Sequence, residues 1–112
     1  MAVSMIKRAA LCVLLAGFYA LPAKADAVDG DWCADDGRTL TIDGVNIRIP
    51  SGLEIMGEYS RHAFRYVGPA GDPEAAHDVR MFLSGDDVLR VERFIDGVEQ
   101  PEEEWNRCNP IA

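Results

Sequence analysis

Apolar and polar residues alternate along most of this chain, in short runs set apart by turn residues. In residues 38–42, Leu40 and Ile42 fall on one side and Thr39 and Thr41 on the other. That is the period-2 pattern of a half-buried strand. Asp43-Gly44 is a two-residue hairpin signal. Residues 45–49 then alternate Val45, Ile47 and Ile49 against Asn46 and Arg48, and Pro50-Ser51-Gly52 turns the chain. Residues 53–59 read as a strand with a bulge expected at Gly57. Residues 62–67 continue that strand or pair with it. Residues 68–76 (GPAGDPEAA) form a loop. Residues 79–83 and 88–95 are strands joined by the turn at 84–87, and Asp96-Gly97 is a further turn. The 99–104 segment is polar and acidic, and 105–108 is a last short strand. Sequence alone also admits a short helix at 73–77 or 101–105. Six to eight short strands predict an all-β fold. A small antiparallel meander is expected, closed or nearly closed as a barrel because closure removes open edges.

The N-terminus breaks this pattern. Lys7 and Arg8 precede an uncharged apolar run over 9–21, then Pro22 and Ala23-Lys24-Ala25. A basic region, a short apolar stretch and an A-x-A site in that order make a cleavable signal peptide over 1–25. The run is too short to span a bilayer, which takes about 20 residues. Ala25-Asp26-Ala27 offers a second cleavage site. Cys12 sits mid-run after Leu11, unlike a lipid-attachment cysteine. The expectation is a periplasmic or secreted protein with a single small β domain at 26–112, not inserted in a membrane after cleavage.

Removing the leader changes the charge. The whole chain carries 11 basic and 19 acidic residues, a net −8. Residues 26–112 keep 8 basic residues, all arginine, and all 19 acidic ones, a net −11. Such a domain repels phosphate backbones, which argues against nucleic acid. It attracts basic proteins. An 87-residue domain buries only about 60% of its unfolded surface, so its core is marginal. Two cysteines remain in it, Cys33 and Cys108. An even count in a small exported domain predicts a disulfide between them.

Candidate chemistry is sparse. Ser60 and His62 would share a face on one strand, but the sequence positions no acid to orient the imidazole. Asp35-Asp36-Gly37 and Asp86-Asp87 are acidic turns out of calcium-loop register. His62 and His77 lack metal-ligand spacing, and Cys33-Ala34-Asp35-Asp36 is no CxxC pair. No catalytic residue, metal or cofactor is expected. His62, Phe64 and Tyr66 should share one strand face and Arg61 and Arg65 the other. Gly30-Asp31-Trp32 resembles the G-x-W opening of lipocalin-type barrels, which implies a late arginine, Arg107, stacked on Trp32.

Trp32-Cys33, the Asp36-Gly37-Arg38-Thr39-Leu40-Thr41 run and the terminal Cys108 together resemble the periplasmic inhibitors of c-type lysozyme, small disulfide-closed β-barrels. That resemblance implies a binding loop at Ser51, Gly52 and Tyr59. The chain departs from the family there: Tyr59 is displaced from the family's spacing, and the mature chain has no lysine. Loops 68–76 and 84–87, the latter carrying Asp86 and Asp87, are the other candidates. The expected function is a monomeric, non-enzymatic binding or inhibitory module for a basic protein partner. A small-ligand carrier with a lipocalin-like barrel and a purely structural envelope protein are the alternatives.

Overall fold

A computed structural model describes residues 27–109. The leader read over 1–25 lies outside the described residues. The described residues form ten strands and no helix: β1 (Gly30–Cys33), β2 (Thr39–Asp43), β3 (Asn46–Arg48), β4 (Glu54–Met56), β5 (Glu58–Ser60), β6 (Ala63–Val67), β7 (His77–Leu83), β8 (Val88–Ile95), β9 (Val98–Glu99) and β10 (Glu103–Arg107). All pairings are antiparallel. The sheet order is β4-β3-β2-β1-β10-β8-β7-β6-β5, with β9 beside β8. The fold is thus all-β, two meanders joined through β10 into a nearly closed barrel.

The seam lies between β4 and β5, the two ends of that order. They are consecutive stretches of one chain segment that changes partner at Gly57. Before it the segment pairs with β3, and the Gly57 amide donates to the Val45 carbonyl. After it the segment pairs with β6. A Cβ on Gly57 would sit 2.5 Å from the Arg65 carbonyl and 2.5 Å from the Phe64 ring. Only glycine lets the strand cross that closely, so the expected bulge is in fact the barrel's corner. Side chains tie the seam at both ends. Ser51 donates its hydroxyl to Asp72, and Asp29 accepts from the Tyr59 hydroxyl and from the Gly44 amide.

Alternation fixes what lies inside. Trp32, Leu40, Ile42, Ile47, Phe64, Tyr66, Val79, Met81, Leu89, Val91 and Trp105 are all buried in one cluster. Trp32 and Trp105 are 0% and 1% exposed. At about 25 cal/mol per Å² and 150–250 Å² each, they contribute at most about 4–6 kcal/mol apiece. Cys33 and Cys108 are joined as a disulfide across 75 residues.

Several local expectations shift. The first hairpin turns at Gly44-Val45, since Asp43 pairs with Asn46. Val45 is therefore 43% exposed, while Ile47 and Ile49 stay inside. Residues 62–67 are the partner of the preceding strand, because Ser60 pairs with Ala63 across an Arg61-His62 turn. His62 thus leaves the face shared by Phe64 and Tyr66, and it shares no strand face with Ser60. Residues 73–77 form successive turns and the start of β7, and 101–105 run into β10, so neither is a helix. The 68–76 loop folds back on itself: Gly68 donates to the His77 carbonyl and Ala76 to the Gly68 carbonyl. A Cβ on Gly68 would lie 1.7 Å from the Glu74 carbonyl oxygen. Gly68→Ala should therefore displace Glu74 and cost about 1–3 kcal/mol as an overpacking change. Urea unfolding of the two proteins measures it; an unchanged midpoint would mean that the loop yields freely.

Candidate functional site

Antiparallel register sorts the loops onto two ends of the barrel. One end gathers residues 34–38, 49–53, 68–76 and 96–102. The other gathers 27–29, 44–45, 61–62, 84–87 and the residues after β10.

The first end holds a buried ionic network. Arg93 alternates inward on β8 after Leu89 and Val91, and its side chain is 7% exposed. Its Nη1 donates to Glu74 Oε2 at 2.7 Å and its Nε to Glu103 Oε2 at 3.0 Å. Glu74 also accepts from the Tyr66 hydroxyl at 2.7 Å, and Glu103 from the Trp105 indole at 3.0 Å. The Arg93 Nη1 lies 3.2 Å from His77 Nδ1, a contact in which the imidazole nitrogen accepts. Burial opposes the charge on Arg93, but the bonds to Glu103 and Glu74 outweigh it and raise the guanidinium's pKa. Burial likewise works against the Glu103 charge. Donation from Arg93 and Trp105 prevails and holds its carboxyl below the ordinary 4.5. Burial, with the Glu74 charge beside it, pushes the Tyr66 hydroxyl up. Arg38 covers the network, stacked 5.0 Å from the Trp105 ring and 3.2 Å from Glu103. Beside it runs a groove of about 340 Å³ lined by Ser51, Asp72, His77 and Arg93.

The second end is closed by one arginine. Arg107 stacks 4.3 Å from the Trp32 ring, as the lipocalin-type opening implied. Its guanidinium donates to the carbonyls of Asp29, Ala27 and Asp86. The Trp32 indole donates to Val28. Here a cation–π contact and three backbone acceptors fix a lid over an indole.

The candidate residues fall at both ends and do not converge. Ser51 and Gly52 lie at the first end, where Ser51 is engaged by Asp72. Tyr59 faces the second end through its bond to Asp29, which together with burial raises its hydroxyl above the ordinary 10.0. Asp86 and Asp87 flank Arg107, with the Asp87 carboxylate 3.8 Å away. Ser60 Oγ lies 3.4 Å from the Ala63 carbonyl, and His62 occupies the turn. Among the described residues no group of three His, Cys, Asp or Glu side chains could hold a metal ion. No helix among them is long and apolar enough to cross a membrane.

No protein-family model, curated protein or solved structure matches this chain.

Proposed function

We propose that this chain is an exported, non-enzymatic binding or inhibitory module that recognises a protein partner with its outer surface. A basic envelope hydrolase such as lysozyme is the partner class. The filled interior carries this reading. Trp32, Trp105, Met81, Leu89 and Val91 occupy the barrel and are each at most 1% exposed. A lipocalin-like carrier needs that space for its ligand, and barrels this small fill with side chains instead. The polar groups nearest the interior are satisfied by one another, which makes the first-end network a structural one. Recognition is therefore assigned to the exterior. There the excess of carboxylates would steer a cationic partner. The disulfide fits an oxidising compartment.

The test uses oxidised protein comprising residues 26–112, immobilised and exposed to a panel of basic hydrolases that includes c-type lysozyme. A stoichiometric complex should survive about 0.15 M salt, where charges more than about 8 Å apart are screened. Loss of the hydrolase's activity in the complex would mark the module as an inhibitor. Binding that vanishes at that salt would reduce the acidity to solubility alone and overturn the reading.

A further inference from the structure

The outer face of the β5–β8 sheet is laid out by register. One row across it reads Ser60, Ala63, Phe82, Arg90, Glu104. The next reads Glu58, Arg65, Arg80, Glu92. A third reads Val67, Asp78, Phe94, Glu99. The β5–β7 side thus mixes apolar residues with a balanced set of charges, and the β8–β10 side is acidic. On its β5–β7 side Phe82 is 44% and Val67 49% exposed. A groove of about 350 Å³ opens there, lined by Tyr59, Ala63 and Phe82 and reaching the core at Phe64 and Met81. Between the halves the charges cancel: Asp78 is bonded by both Arg65 and Arg80, and Arg65 also reaches Glu58. Arg80 lies over the Phe94 ring at 4.7 Å. The β8–β10 side carries Glu92, Glu99, Glu102 and Glu104, and Arg90 there reaches Glu102 at 3.3 Å and Glu104 at 3.9 Å. Four carboxylates there face one cation.

Resting on the reading of a protein-binding module, we propose that this face is the docking face. Its occupant is a basic protein that inserts an apolar side chain into the Phe82 groove and sets lysines or arginines against Glu92, Glu99, Glu102 and Glu104. Charge complementarity selects that occupant. An acidic protein, a second copy of this chain included, would bring like charges to the carboxylate half. A purely apolar one would leave those carboxylates desolvated without a partner. An exposed aromatic in a groove, ringed by arginine and tyrosine, has the composition of an interface centre, and the carboxylates form its steering flank.

The probe is c-type lysozyme, passed over immobilised protein with association and dissociation followed separately. Phe82→Ser should speed dissociation about tenfold or more, because Phe82 fills the centre of the contact. Glu99→Lys with Glu104→Lys should slow association about tenfold, because steering charges act on encounter. Asp43→Lys with Glu54→Lys makes the same change in net charge on the β2–β4 side, away from this face, and should stay within about threefold of the unmodified protein. Phe82, Glu99 and Glu104 all point outward, so thermal midpoints should show every variant folded. If the control pair weakens binding as much as the Glu99 and Glu104 pair, or Phe82→Ser changes nothing, the face is wrong while the binding module stands. If unmodified protein binds neither this probe nor any other basic hydrolase of the panel, the functional reading falls and the face with it.

Discussion

Arg93→Met should lower the unfolding free energy by about 3–5 kcal/mol, the usual cost of removing one partner from a buried ion pair. The cost comes from what is left behind. Glu74 and Glu103 would keep their carboxylates, 10% and 22% exposed, without the guanidinium that bonds both. Tyr66 and Trp105 would still donate to them and Arg38 would still pair with Glu103, but the neutral Tyr66 hydroxyl does not balance the Glu74 charge. Replacing the charges together, as Arg93→Met with Glu74→Gln and Glu103→Gln, should recover much of the loss, since an apolar or neutral substitute for a whole buried network is often nearly neutral. Urea unfolding of the single and triple variants decides the matter. Equal losses would show that the cluster acts through shape. The acid response follows from the same bonds. Glu103 titrates below its ordinary 4.5 in the folded protein. It therefore adds stability above the unfolded value and gives it up as the pH falls through the folded one. Stability should hold from neutrality to about pH 5 and decline below. Asp78, held below its ordinary 3.8 by Arg80 and then Arg65, adds to that decline. In Arg93→Met the Glu103 part should shrink, with only Trp105 and Arg38 still favouring that carboxylate, while the Asp78 part stays.

Opening the disulfide should cost about 4 kcal/mol. Loop-closure entropy over 75 residues gives that magnitude, although some of the gain in real proteins is enthalpic. The bond joins the end of β1 to the residue after β10, and those strands pair through Trp32–Arg107 and Cys33–Asn106, with one further bond from the Cys108 amide to the Asp31 carbonyl. Few ladder bonds thus hold the junction between the two meanders. Cys33→Ala with Cys108→Ala, or reduction of the native protein, should lower the urea midpoint by roughly a quarter to four fifths of its value, since small domains total about 5–15 kcal/mol. A reduced protein with an unchanged midpoint would show that the ladder bonds and the Trp32–Arg107 stack hold the junction without the disulfide.

Much of this architecture was legible in the sequence because period 2 is a strong signal. The all-β fold and the Cys33–Cys108 pair follow from residues that a reader can mark in advance, and Arg107 over Trp32 follows from the resemblance of Gly30-Asp31-Trp32 to a lipocalin-type opening. The turn at Gly44-Val45 is off by one because Asp43-Gly44 satisfies turn chemistry as well, and only pairing with β3 chooses between them. The Arg93 site was half visible. Leu89, Val91 and Arg93 share one parity, so alternation alone points a guanidinium inward. Nothing local says that Glu74, nineteen positions earlier in a loop, will meet it. The corner at Gly57 was marked as an irregularity, but its role depends on two sheet ends that no window of sequence brings together. The outer face was hidden for the same reason, since its rows run across strands.

The place of β10 bears on how the barrel can form. It is the last described strand in chain order, yet it stands between β1 and β8 and joins the two meanders. Each meander can zip along neighbouring hairpins while the chain is still being made. The cylinder cannot, because its keystone is the last of the described strands to emerge. Folding should therefore be post-translational and slow for its size, dominated by one long-range docking step. A chain clipped before Glu103 should collect as two unclosed half-sheets with open edges, prone to aggregate.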